Sequence, residues 1–229
     1  MNELRGKVAF VTGATSSTGR AVALSLARRG ADIAAFDRWE NDGVAYTLKL
    51  DRLKQEVEQM GVRCLTLCGN SMKDVDVMVA VAETVVELRR IDILFNDTGS
   101  AEVESASKTD EPADNNFRMM WLAARHVIPK MLLRGEGTII TCAAGSNVQP
   151  LKGWEIYGVA NPFSDVSNTN IKINAICPAA SSDVRRNLQI DGWTQLSQCQ
   201  HTDLVTAVQD LVAGIVIRPS QGALPQWRA

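Results

Sequence analysis

Short apolar runs alternate along this chain with longer segments in which apolar residues recur at helical spacing. Lys7 to Val11 (KVAFV) predicts a buried strand, and Arg20 to Arg29 (RAVALSLARR) behind it has helical character. Ala31 to Phe36 (ADIAAF) predicts a second strand, closed by Asp37. Leu53, Val57 and Met60 then fall at i, i+4 and i+7, one face of a helix. Arg63 to Leu67 predicts a third strand, and Val77, Val81, Val85 and Leu88 stripe the next helix, with Asp74 and Asp76 near its positive end. Ile91 to Phe95 (IDILF) predicts a fourth strand, residues 114–134 a long helix, and Thr138–Thr141 and Ile171–Ile176 two further strands. Apolar strands separated by helices imply a parallel sheet covered on both faces. The fold class expected is α/β: a doubly wound parallel sheet of Rossmann type, in three layers, as one domain over residues 1–229.

Between the first strand and its helix lies Thr12-Gly13-Ala14-Thr15-Ser16-Ser17-Thr18-Gly19. Small residues there let the backbone approach a pyrophosphate, and the following helix offers free N–H groups and a positive dipole end. Gly13, Thr15, Ser16, Ser17, Thr18 and Gly19 are therefore candidate cofactor contacts. Asp37 falls 18 residues after Gly19, with Arg38 beside it. A carboxylate at the end of the second strand accepts hydrogen bonds from adenosine ribose hydroxyls and repels a 2′-phosphate. NAD is the dinucleotide expected, and NADP the less suited one. Ser17 stands where a middle glycine would allow the closest approach, so the alternative is a fold that persists without bound cofactor.

Composition narrows the field by exclusion. With 229 residues, 45% of them hydrophobic and 22% charged, the chain is long enough for a well-buried core. A formal net charge of −2 offers no basic field for nucleic acid, and no basic run suggests a membrane surface. No apolar stretch approaches the roughly 20 residues of a spanning helix. Met1-Asn2-Glu3-Leu4-Arg5-Gly6 enters a strand directly and has no signal-peptide core, so the expected location is cytoplasmic. The five cysteines are Cys64, Cys68, Cys142, Cys177 and Cys199, and reduced thiols are the expected state. Cys64 and Cys68 would sit about 13 Å apart in a strand. With His126 and His201 as the only further soft ligands, no metal is expected.

These motifs resemble the short-chain dehydrogenase/reductase superfamily over almost the whole chain. The family pattern Thr-Gly-x-x-x-Gly-x-Gly is matched by TGATSSTG, with Ser17 at the middle glycine. Asn-Asn-Ala-Gly after the fourth strand appears as Asn96-Asp97-Thr98-Gly99, and Asn70, before Ser71, stands where an acidic residue usually borders the adenine. Asn116 falls on the family's active-site asparagine, Tyr157 on its catalytic tyrosine, and Pro178-Ala179 on a Pro-Gly. The resemblance thus adds Asn70, Ser71, Asn96, Gly99, Asn161 and Pro178 to the cofactor contacts. The long segment from Asp37 to Met60 is similar, more weakly, to the insert of carveol-dehydrogenase-like members.

In that family the tyrosine is the general acid/base, a serine hydroxyl holds the substrate oxygen, and a lysine four residues after the tyrosine lowers the phenol pKa. Here the serine position, 13 residues before Tyr157, is Ala144, and the lysine position is Asn161. Losing one aimed donor typically costs about 10²–10³ in rate. Without the cation a tyrosine titrates near about 10, so little phenolate is present at neutral pH. Ser146, two residues on, could substitute if the loop were rearranged, and Lys152 could supply a cation from the same loop. Pro162 directly after Asn161 breaks the helix that carries the lysine in relatives. From Tyr157 to Asn174 the chain is about nine residues shorter than the family pattern, roughly two and a half turns of helix. That helix commonly forms a dimer face, which leaves family-type homo-oligomerisation open.

Trp121, on an apolar helix, is assigned to the core, while Trp154 and Trp193 flank the expected substrate mouth. Two functions remain. The leading one is an NAD-linked oxidoreductase acting on an alcohol or carbonyl of a small apolar molecule, with Tyr157 and Asn116 in catalysis. The other is a non-redox relative: an isomerase, lyase or cyclase using Tyr157, or a catalytically inactive binding protein.

Overall fold

The computed structural model describes residues 3–38, 44–97, 112–142 and 170–176; for residues 44–47, 112–117, 142 and 174–176 it describes the backbone. Each predicted strand and helix in these segments is present, with shifted bounds. The strands are β1 (Val8–Thr12), β2 (Asp32–Asp37), β3 (Cys64–Cys68), β4 (Ile93–Asp97), β5 (Glu136–Cys142) and β6 (Asn170–Ile176). The helices are α1 (Ser17–Arg28), α2 (Val44–Glu58), α3 (Asp74–Leu88) and α4 (Pro112–Leu132). Thr12, Asp37 and Asp97 lengthen their strands because a polar side chain at the last residue leaves the backbone ladder intact. Phe36 pairs with Thr12 on one side of β1, and Asn96 pairs with Thr12 on the other.

All pairings are parallel, in the order β3-β2-β1-β4-β5-β6. This is the doubly wound order, and the direction of winding reverses between β1 and β4. In sheets of this order, ligands bind in the crevice beyond the carboxyl ends of those two strands.

Alternation along the strands divides the core between the two faces. Ala9, Val11, Ile33, Ala35 and Phe95 pack with Val22, Leu26, Leu50, Leu53 and Val57 on one side. Val8, Phe10, Phe36 and Leu94 pack with Val77, Val81, Val127, Ile128 and Met131 on the other. Phe10, Phe36 and Phe95 are fully buried, each contributing about 1.5–3 kcal/mol. Trp121 departs from its core assignment: it is partly buried at the edge of the second cluster, with the Arg125 guanidinium 4.9 Å from its ring centroid. An amphipathic ring beside a cation tolerates that half-exposed position.

α3 buries the expected Val77, Val81 and Leu88, but Val75, Met78, Val79 and Val86 face outward. It ends at Arg89, whose φ of 73° is the left-handed conformation that usually calls for glycine. At the amino ends of the strands, Asp92 is buried; its carboxylate accepts from the Val8 N–H at 2.8 Å and from Arg90 Nε at 2.6 Å. Lys7 lies 3.6 Å from the same carboxylate and 2.6 Å from Glu136. The Asp92 carboxylate raises the Arg90 pKa, and Lys7 lowers that of Glu136. This ion cluster ties three strands together at the edge opposite the crevice.

Candidate dinucleotide site

The turn from β1 into α1 reverses direction at Gly13, where φ is +60°. The Ser16 N–H donates to the Gly13 carbonyl at 3.0 Å, closing the turn. Ser16 then caps α1: its backbone is extended (φ −64°, ψ 162°) and its hydroxyl accepts from the Gly19 N–H at 2.8 Å. At Gly19 a Cβ would lie 2.2 Å from the Gly13 carbonyl oxygen, so α1 meets β1 at a distance only glycine permits. Ser17 is exposed on the first turn of α1.

Two carboxylates clasp this turn from neighbouring strands. At the end of β2, Asp37 Oδ2 accepts from both the Thr15 N–H and the Thr15 hydroxyl at 2.7 Å, and Oδ1 accepts from the Arg38 N–H at 2.8 Å. At the end of β4, Asp97 Oδ2 accepts a short hydrogen bond from the Ser16 hydroxyl. Thr12 fastens the β1–β4 seam: its hydroxyl donates to Asn96 Oδ1 at 3.1 Å and accepts from the Asp97 N–H at 3.1 Å. Asn96 is buried and donates to the Met120 carbonyl at 3.2 Å, which links β4 to α4.

The neighbouring β3 end is organised by a turn and by the Asp76 carboxylate. Asn70 accepts from the Met72 N–H at 2.8 Å, an Asx turn, while its own N–H donates to Asp76 at 2.8 Å. The Ser71 hydroxyl contacts Met119 Sδ at 3.0 Å. Cys68, paired with Asp37, has its thiol pKa pushed up, first by burial and then by the Asp37 and Asp51 carboxylates.

The sequence candidates Gly13, Thr15, Ser16, Ser17, Thr18, Gly19, Asp37, Arg38 and Asn96 gather around the crevice, and Asn70 and Ser71 lie after neighbouring β3. Asn116 lies on α4 by its backbone. Gly99, Ala144, Tyr157, Asn161 and Pro178 lie outside the described residues, as do Pro162 and the expected shortened helix. Sequence reading did not assign Thr12 or Asp97 to the site. The signal available was a polar residue closing an apolar strand at the switch point. Among the described residues, no three His, Cys, Asp or Glu side chains gather as metal ligands, and no helix is long and apolar enough to cross a membrane.

Helix starts leave N–H groups without intrahelical partners. Those of Ala14, Thr15, Ser16 and Gly19 are met by Phe36, Asp37, Gly13 and Ser16. The N–H groups of Ser17 and Thr18 have no partner among the described residues. A close glycine contact, two N–H donors without a partner among the described residues and a carboxylate at the end of β2 fit a dinucleotide's pyrophosphate and adenosine ribose.

Residues 7–191 match the family model for short chain dehydrogenases. The chain belongs to that family. Its members use nicotinamide cofactors and act on small-molecule substrates as oxidoreductases. It is 27% identical over 193 residues to the oxidoreductase UcpA of Salmonella typhimurium, covering 78% of this chain and 70% of that protein. The structure resembles a hydroxysteroid dehydrogenase from Escherichia coli with a TM-score of 0.72 at 20% identity, covering 94% of this chain and 93% of that one. It also resembles a metagenomic short-chain oxidoreductase in complex with NADP, with a TM-score of 0.70 at 17% identity and 92% of each chain covered. At such identities the structural likeness speaks for the fold, and the family as a whole leaves the choice between NAD and NADP open.

Proposed function

We propose that this chain is an NAD-linked short-chain oxidoreductase acting on an alcohol or carbonyl of a small apolar molecule, with weakened chemistry. The observation that carries the cofactor choice is the Asp37 carboxylate, held at the end of β2 by Thr15 and Arg38. An additional 2′-phosphate there would meet the negative charge of that carboxylate. When bound, NAD supplies the hydride acceptor or donor. Tyr157 moves the hydroxyl proton, and Asn116 orients a water or backbone relay for it.

Ala144 and Asn161 carry the expectation of slow turnover, because Ala144 has no hydroxyl to hold the substrate oxygen and Asn161 no positive charge to lower the Tyr157 pKa. Free Cys64 and Cys68 suit a reducing, cytoplasmic setting. Calorimetric titration with NAD⁺, NADH and NADP⁺ tests the cofactor reading. Binding of NAD at least about tenfold tighter than NADP is expected, a difference of about 1.4 kcal/mol. Equal or reversed affinities would overturn it.

The joint occurrence of Ala144, Asn161 and Pro162 favours a second reading, a fold relative that no longer transfers hydride. Ala144→Ser combined with Asn161→Lys separates the two. A large gain in dehydrogenase turnover supports the oxidoreductase, and no gain despite cofactor binding supports a repurposed site.

A further inference from the structure

The crevice contains a second carboxylate that the cofactor reading does not use. Asp97 stands where the family pattern has asparagine, so this chain places a negative charge at the end of β4. Its side chain lies against the turn itself: a Cβ built on Gly13 would be 3.2 Å from Asp97 Cβ and 3.5 Å from Asp97 Cγ. From there Asp97 Oδ2 accepts a hydrogen bond from the Ser16 hydroxyl, the same hydroxyl that accepts the Gly19 N–H at the start of α1.

Two consequences follow for an anion at α1. A hydroxyl has one proton to donate, and that of Ser16 is committed to Asp97. The Gly19 N–H is likewise committed to Ser16. The end of the helix that would attract a diphosphate is thus partly neutralised by the chain's own carboxylate, one side-chain contact away.

We infer that Asp97 sets the affinity of this site for the diphosphate of its ligand, through its negative charge and its hold on the Ser16 hydroxyl, so that the site grades adenosine ligands by the phosphate charge they bring to α1. The inference rests on the dinucleotide reading of the turn and deepens it. Asp97 is a positioning residue here, acting through Ser16 and through its field.

Asp97→Asn removes the charge and keeps an oxygen that can accept from Ser16, and Asp97→Ser removes the charge with a smaller side chain. Calorimetric affinities for adenosine, AMP and ADP-ribose are measured on the wild type and both variants, with thermal unfolding confirming that each is folded. Neighbouring like charges shift equilibria by about tenfold. Both variants are therefore expected to bind ADP-ribose about tenfold tighter than the wild type, AMP, whose monoester phosphate carries nearly the same charge at neutral pH, tighter as well, and adenosine equally. A purely structural tether would move all three ligands together and downward.

If the wild type binds ADP-ribose and the variants bind it equally or more weakly, the role of Asp97 is overturned while the dinucleotide site stands. If neither the wild type nor the variants bind any of the three, the site and the role of Asp97 fall together.

Discussion

Replacing Gly19 by alanine perturbs the point where α1 meets β1 most closely. The added Cβ would lie 2.2 Å from the Gly13 carbonyl oxygen and 2.9 Å from its carbon. Ordinary contact begins near 3.5 Å, so the two must separate by about 1.3 Å. The Gly13 carbonyl cannot yield freely, because it accepts the Ser16 N–H at 3.0 Å and its residue sits at φ +60° against Asp97. Overpacking costs about 1–3 kcal/mol, and loss of the Ser16 hydrogen bond adds about 1 kcal/mol. The total of about 2–4 kcal/mol corresponds to a fall in Tm of about 4–16 °C for a chain of this size. Thermal unfolding without ligand measures it. Ser17→Ala, exposed in the same helical turn, serves as control and should stay within about 0.5 kcal/mol of the wild type. A Gly19→Ala protein within about 2 °C of the wild type would refute the close-contact account of this glycine.

Asp92→Ala leaves Arg90 and the Val8 N–H without their buried partner, and a loss of about 3–5 kcal/mol is expected in urea titration. Dinucleotide affinity should be unchanged, since Asp92 lies at the opposite ends of the strands. Arg89→Gly relieves the left-handed C-cap of α3 and should stabilise by about 1 kcal/mol, read as a higher urea midpoint with unaltered slope. Burial pushes the Cys64 thiol up to about 12, against about 8.5 for a free thiol. The folded state thus holds a proton that the unfolded chain releases, so stability is full below about pH 8.5 and declines as pH rises toward 12. Cys64→Ala should flatten that alkaline decline, and an unchanged slope would count against it.

Where apolar periodicity speaks, the chain discloses its own fold. KVAFV, ADIAAF and IDILF mark the centre of the sheet because strands covered on both faces must be apolar throughout. Their last residues are less legible: Thr12, Asp37 and Asp97 are polar, and only backbone pairing places them in the ladder. The outward valines of α3 were likewise invisible to a stripe of valines, since an apolar side chain on a helix carries no label for the face it takes. Within the site, Gly13, Gly19 and Asp37 were legible from spacing along a strand–turn–helix–strand unit. The Ser16–Asp97 bond was not, because its partners are 81 positions apart and local pattern says nothing about a contact across the sheet. Asp37 also proved more engaged than its position suggested, holding Thr15 through backbone and side chain alike.

That clasp bears on when the turn acquires its shape. With Thr15 fastened to β2 and Ser16 to β4, residues 13–16 are held by bonds inside the protein. The entropy of ordering them is lost as the sheet folds, and none of it remains to be lost when a ligand arrives. Association should then proceed in a single kinetic phase, and the Thr15 and Ser16 amides should resist hydrogen exchange as long as the strands on either side do.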